Sequence, residues 1–169
     1  MPAYVIVGGF FGDEGKGKIV AYLALNDKAD TAVRGGVGPN AGHTVIHQGK
    51  TYKLRMLPSA IVSRAKLMVG AGVLVNPDVL LDEAKRYDVK SRVLVDYGAS
   101  IIEEKHLDAD RVGHLKEKIG TTGTGTGPAN SDRVLRVAKI ARNDPKLKGL
   151  VGYVAEDIYG VVDAGKNLI

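Results

Sequence analysis

Three glycines, two lysines and an acidic pair share the seven positions Gly12-Asp13-Glu14-Gly15-Lys16-Gly17-Lys18. Glycine lets backbone N–H groups approach an anion without a Cβ clash. Lys16 and Lys18 add mobile cations, and Asp13 offers a carboxylate that can hold Mg²⁺ or take a proton. This is chemistry for phosphate. The stretch follows the apolar run Tyr4-Val5-Ile6-Val7 and precedes Ile19, Val20, Tyr22, Leu23 and Leu25, so it is expected to join a buried parallel strand to a helix over Glu14–Leu25. A helix start there would add roughly +0.5 of a charge aimed at the same anion.

Gly12, four residues, then Gly17 and Lys18 nearly satisfy the P-loop pattern, but Ile19 stands where Ser or Thr would ligate Mg²⁺. A carboxylate inside the loop, Asp13, is the natural substitute. The plainer reading is a tight strand-to-helix connection with solvated charges.

Beyond the first helix, Asp30–Arg34 reads as a second strand, giving a βαβ opening. The segment 35–43 then holds four glycines in nine residues and ends on His43, which suggests a loop passing close to a ligand. Thr44–His47 and Lys50–Arg55 form an expected β-hairpin closed on Gln48-Gly49. Lys66–Gly70, Gly72–Val75 and Arg92–Tyr97 read as strands, and Asn76-Pro77-Asp78 as a helix start leading to Tyr87. Glu103–Lys118, Asp132–Arg142 and Tyr153–Ala164 are expected helices, the second with basic residues at 133, 136, 139 and 142. The low-complexity stretch 120–128 is Gly and Thr in eight of nine positions, and Asn167–Ile169 looks like a strand. Asp82, Glu83, Lys85 and Arg86 read as a solvated helix face, and His47, His106 and His114 carry no motif.

A chain of 169 residues can bury about 70% of its unfolded surface, enough for one domain with a core. The net charge of +5 favours anionic ligands, but aromatics at 5% and the absence of Trp leave few stacking platforms for single-stranded nucleic acid. Small phosphorylated ligands are therefore favoured, with no nucleic-acid partner expected. There is no Cys, which excludes disulfides and thiolate metal sites. Nowhere do eighteen apolar residues run together and no signal peptide opens the chain, so a cytoplasmic location and no membrane partner are the expectation.

Read together, GDEGKGK, Asn40-Ala41-Gly42-His43-Thr44 and Ile119-Gly120-Thr121-Thr122-Gly123 resemble the adenylosuccinate synthetases, in order and at nearly the expected spacings. The resemblance implies an α/β fold with a mainly parallel central sheet, flanking helices and a β-hairpin, a P-loop-like GTP-binding fold. It implies a GTP-dependent ligase of purine biosynthesis that joins IMP to L-aspartate through 6-phosphoryl-IMP, with Mg²⁺ as cofactor. On this pattern Asp13 is the base for N1 of IMP and a Mg²⁺ ligand, His43 is the acid against the GTP phosphates, and the Gly42 carbonyl completes the protein's share of the metal shell. Gly12 to Lys18 with Gly42, His43 and Thr44 would hold GTP. Asp13 to Lys16, Asn40 to His43 and Thr122 would face IMP. Arg136 would reach the partner's IMP across a homodimer, with Arg133 the alternative.

The resemblance runs from Tyr4 to Ile169 but covers only about the first half of a family member, in its compact form. Residues 1–169 are thus expected to be the N-terminal part of a single synthetase domain, lacking the later segments that read guanine and bind aspartate, and inactive in isolation. Thr124 and Thr126 stand where Arg and Ile are usual, and Phe10-Phe11 where Gln-Trp is common. The competing readings are a non-catalytic nucleotide- or phosphate-binding fragment and a different P-loop-like NTPase.

Overall fold

The computed structural model describes residues 3–10, 12, 14–112 and 120–169. Asp13, Ile119, His114 and the end of the expected helix Glu103–Lys118 lie outside them. Among the described residues the elements are α1 (Lys16–Asn26), β1 (Thr31–Arg34), β2 (His43–His47), β3 (Lys50–Leu54), β4 (Lys66–Val69), β5 (Leu74–Val75), α2 (Pro77–Arg86), β6 (Val93–Asp96), β7 (Ser100–Ile101), α3 (Glu104–Val112), α4 (Thr126–Val134), β8 (Val151–Gly152) and α5 (Val154–Asp163).

Four parallel strands in the order β1-β4-β6-β8 make the central sheet. Its inner strand β4 carries Leu67, Met68 and Val69, all fully buried, because an inner parallel strand is covered on both faces. Each such side chain contributes about 1.5–3 kcal/mol relative to an exposed one. The hairpin β2–β3 turns at Gln48 and Gly49 with φ of 48° and 75°, the left-handed pair that a two-residue hairpin turn requires. A short parallel pair, β5–β7, completes the strands. The mainly parallel α/β architecture expected from the sequence is the one observed.

Helix α1 begins at Lys16, two residues later than expected, with Gly15 at its N-cap in the left-handed region at φ 78°. Its inner positions are Gly17, Ala21 and Ala24, small residues that let the helix lie close against the 3₁₀ turn Ser59–Val62 and β2. Helix α2 starts where Asn76-Pro77 placed it, the Asn76 side chain accepting a hydrogen bond from Val79 N at 3.1 Å. Helix α5 stops before Gly165, whose φ is 65°.

Two expectations are corrected. Tyr4–Val7 is not a paired strand: backbone pairing is confined to Ala3 and Tyr4 opposite Leu168, and although Tyr4 and Ile6 pack on the core, Val5 and Val7 are 83% and 78% exposed. Among the described residues the backbone of that segment pairs with Leu168, while Leu168–Ile169 also bridges to Thr31 and Val33 of β1, so the pairing is used up within two residues. The helix expected over Asp132–Arg142 instead runs from Thr126 to Val134, opening inside the Gly-Thr stretch. Gly125, left-handed at φ 72°, starts it; beyond Val134 the chain turns, and Arg136 takes a left-handed φ of 62°. Residues 133, 136, 139 and 142 therefore share no helical face.

Candidate functional site

The first turn of α1, the glycine loop before it and the start of β2 enclose a cleft of about 470 Å³ lined by Gly12, Glu14 to Lys18 and Asn40 to Thr44. Two segments singled out from the sequence, some two dozen positions apart, thus meet around one space. Thr122 and Arg136 do not line it.

Gly12 and Gly15 have φ of 104° and 78°, conformations costly for any residue with a Cβ, so the loop can fold back over the helix start. Glu14 is drawn inward within the loop. Its carboxylate accepts from Phe10 N at 2.5 Å and pairs with the Lys16 ammonium. That ammonium and the Phe10 N–H hold the Glu14 carboxyl below its ordinary value. An incoming phosphate would compete with Glu14 for Lys16.

His43 opens β2 and lies directly over Gly17. Its Nδ1 is 3.1 Å from the hydroxyl of Ser59, a buried residue on the 3₁₀ turn that packs on α1. Burial first, then the nearby charges of Arg34 and Lys16, push the imidazole below its ordinary value. The ring is therefore neutral near pH 7, able to donate one N–H while the other nitrogen accepts. A neutral imidazole beside two cations suits an anionic ligand, which would restore basicity to the ring.

The loop carrying Asn40 to Gly42 is held from behind. Arg34, at the end of β1 and 7% exposed, donates from Nη2 to the carbonyls of Gly38 at 2.8 Å and Ala41 at 3.1 Å. Arg55 Nε donates to the Pro39 carbonyl at 3.1 Å. Glu83 of α2, 3% exposed, accepts from the backbone N–H groups of Arg55, Met56 and Leu57 at 2.6 to 3.2 Å. Burial pushes its carboxyl up, opposed by those three donors and by the charge of Arg34. The solvated face expected over Asp82–Arg86 holds for the exposed Asp82–Arg86 pair and fails for Glu83.

The Gly-Thr stretch has its own anchor. Asp110 of α3, 3% exposed, accepts from Thr121 Oγ1 at 2.6 Å and Gly125 N at 2.8 Å. Thr122, Thr124 and Thr126 link hydroxyl to hydroxyl at 2.9 and 3.0 Å. Nearby, the buried His106 accepts from Glu103 N and pairs with Asp132 at 3.0 Å, a structural role. Arg133 donates to the Gly72 carbonyl at 2.7 Å, whereas Arg136 is exposed and its side chain makes no hydrogen bond among the described residues.

Sequence reasoning missed Arg34, Arg55, Ser59, Glu83 and Asp110. Only Arg34 left a local trace: a charge closing the buried pattern Thr31-Ala32-Val33 immediately before two glycines. No helix among the described residues is long and apolar enough to cross a membrane.

The family model for adenylosuccinate synthetase matches residues 5–147. The chain is 54% identical to the adenylosuccinate synthetase of Archaeoglobus fulgidus and 52% identical to that of Methanocaldococcus jannaschii, over 100% and 98% of its own length. It covers 51% and 49% of those proteins, so it spans about half the length of the curated relatives it matches. Among solved structures, the fully ligated adenylosuccinate synthetase of Plasmodium falciparum superposes with a TM-score of 0.85 at 23% identity, over 96% of this chain and 49% of that one, a likeness of fold. Cyanophage S-2L succinoaminodeoxyadenylate synthetase, bound to dGMP and dATP as an energy donor, superposes with a TM-score of 0.76 at 25% identity, over 94% of this chain and 47% of that one. With this glycine loop, this cleft and these relatives, the chain belongs to the adenylosuccinate synthetase family.

Proposed function

We propose that the chain supplies the phosphate-binding and IMP-facing half of an enzyme that ligates IMP and L-aspartate to adenylosuccinate at the expense of GTP. The observation that carries this reading is the cleft at the start of α1, where Gly12 and Glu14 to Lys18 face Asn40 to Thr44. Phosphoryl transfer to the 6-oxygen of IMP needs positioning and charge neutralisation more than covalent chemistry, and the cleft offers glycine N–H groups, Lys16, Lys18 and a helix N-terminus for both. His43, neutral and oriented by Ser59, is the donor for charge developing on the bridging oxygen of GTP. Asp13 is the base for the N1 proton, Asn40 to His43 face IMP, and Thr122 takes its phosphate on the loop that Asp110 pins.

Apart from His43 and the two lysine ammonium groups, the polar groups around the cleft that can ligate a metal are oxygens, from main-chain carbonyls, the Glu14 carboxylate, the Asn40 amide and the Thr44 hydroxyl, and the sequence has no thiol; this is a set suited to Mg²⁺. The Gly42 carbonyl and Asp13 would hold the ion, which supplies charge neutralisation at the phosphates.

A homodimer in which Arg136 reaches the partner's IMP is supported by its surroundings. Arg136 is uncommitted among the described residues, while the alternative, Arg133, is tied to Gly72. Val134, Leu135 and Val137 around it are 73%, 68% and 65% exposed, an apolar patch of the kind a second copy covers.

The test is phosphate release and adenylosuccinate formation from GTP by a polypeptide carrying this chain at the full length of its relatives. Release that requires both IMP and aspartate supports the reading. Release without them identifies a different P-loop-like NTPase, and binding without release a non-catalytic nucleotide module. The 169-residue chain alone is expected to bind phosphate ligands weakly and to turn nothing over.

A further inference from the structure

Arg34 is an expensive residue to keep where it is. Arg34 is 7% exposed, yet among the described residues Nη2 alone of its guanidinium nitrogens is hydrogen-bonded, and Nε and Nη1 are buried with no partner. Buried N–H groups without acceptors oppose folding, so a side chain retained for stability alone would not carry two of them. Its one bonded nitrogen chelates the carbonyls of Gly38 and Ala41, the second of which belongs to the loop lining the cleft.

The peptide plane turns this chelation into an orientation. In a trans peptide the N–H points opposite to the C=O of the preceding residue. Arg34 holds the Ala41 carbonyl, which aims the Gly42 N–H the other way; Arg55 holds the Pro39 carbonyl, which does the same for the Asn40 N–H. Neither arginine lines the cleft, whereas Asn40, Ala41 and Gly42 do, and neither N–H has a protein acceptor among the described residues. The clamp is itself held rigid: Glu83, the buried counter-charge to Arg34, takes the backbone N–H groups of Arg55, Met56 and Leu57.

We propose that Arg34, assisted by Arg55, is a positioning residue that turns the Asn40 and Gly42 amides toward the anionic ligand of the cleft. It touches no ligand and acts through the loop. The inference rests on the proposed ligase function only for its kinetic consequence; the geometry of the amides is independent of it. The guanidinium carries Nη2 at the end of a planar group whose orientation the buried site fixes, so its two N–H bonds are aimed one at each carbonyl, whereas a lysine ammonium rotates freely about its last bond.

The test compares Arg34→Met, Arg34→Lys and Arg55→Met in two settings. In the 169-residue chain, amide NMR is expected to show the Asn40 and Gly42 signals moved and exchanging faster in Arg34→Met, with β4 and β6 unchanged. In the full-length enzyme, kcat is expected to fall about 10²-fold in Arg34→Met, the scale of a 1 Å misplacement, with KM for aspartate within threefold of the parent. Arg34→Lys should recover part of that loss. Unmoved Asn40 and Gly42 amides, or a kcat within threefold of the parent in folded Arg34→Met, overturns the proposal. Should Arg34→Met not fold, Arg55→Met, at an exposed side chain, decides: a moved Asn40 amide and about tenfold lower kcat uphold it, and parental values overturn it. A parent enzyme that does not turn over GTP, IMP and aspartate refutes the ligase reading, while the amide signals still decide the clamp.

Discussion

A methyl group at position 17 would lie 2.7 Å from His43 Cβ and 2.9 Å from Ser59 Oγ, so the missing side chain of Gly17 is the space that His43 occupies. The first turn of α1, the histidine and the serine that orients it are in mutual contact. Gly17→Ala gains up to about 1 kcal/mol in helix propensity but overpacks a site that costs about 1–3 kcal/mol to distort. Overpacking should win. The expected result is a lower Tm by several degrees and a kcat at least tenfold down, read by thermal melts and steady-state assay; a more stable and fully active variant would show that His43 has room to move.

The depressed basicity of His43 makes stability depend on pH with a definite sign. The unfolded chain takes up a proton near pH 6.5 and the folded one only at lower pH, so the unfolded state binds more protons in that window. The contribution is complete above the unfolded value and is lost as pH falls from there through the lower folded value. Urea melts between pH 7.5 and 5.5 should show falling stability, less steeply in His43→Gln. Adding inorganic pyrophosphate should raise the imidazole value in the parent, seen in its proton NMR titration. Equal slopes for parent and variant would contradict the assignment.

Asp110 holds Thr121 and the buried Gly125 N–H through separate oxygens. Asp110→Ala leaves a buried donor without a partner, at a cost of about 1–3 kcal/mol. IMP binding should weaken along with stability, because Thr122 sits between the two anchored positions, while GTP binding should change little. Calorimetry on the full-length enzyme separates the two ligands, and equal weakening of both would relocate Asp110's influence.

Two arginines three residues apart should behave differently. Arg133→Ala loses the bond to the Gly72 carbonyl and is expected to destabilise by about 1–2 kcal/mol. Arg136→Ala removes an exposed, unbonded side chain and should leave the melting curve within ±0.5 kcal/mol while raising KM for IMP. Mixing Arg136→Ala with an Asp13→Ala variant tests the cross-subunit arrangement: regained activity in the mixture requires sites built from two copies.

Local signals carried much of this architecture. Gln48-Gly49 between two alternating runs announced a hairpin, and Asn76-Pro77 announced a helix start, because each is decided by the backbone preferences of two adjacent residues. The cleft was legible because glycines clustered in two short stretches, one carrying Lys16 and Lys18 and the other ending on His43. What escaped depended on distant partners. The helix that opens at Thr126 is fixed by Gly125, whose N–H is bound by a carboxylate fifteen positions earlier. Glu83 looks like its exposed neighbours Asp82 and Arg86 until the backbone turn at Arg55–Leu57 covers it. The apolar run Tyr4–Val7 reports an affinity for burial, but a strand also needs a neighbour along its length, and Leu168 pairs with only its first residues.

The contact between Ala3 and Leu168 also orders events in time. The two residues are 165 positions apart, and Leu168 and Ile169 simultaneously bridge to Thr31 and Val33. A ribosome delivers Ala3 and Tyr4, just ahead of the phosphate loop, long before it delivers the Leu168 that pairs with them. Sheet strands β4, β6 and β8 can assemble in the interval, through connections far shorter than this one. The segment leading into the nucleotide loop therefore gains its strand contact only once Leu168 has been made, whereas the helix behind the loop can pack on Ser59–Val62 and β2 well before that.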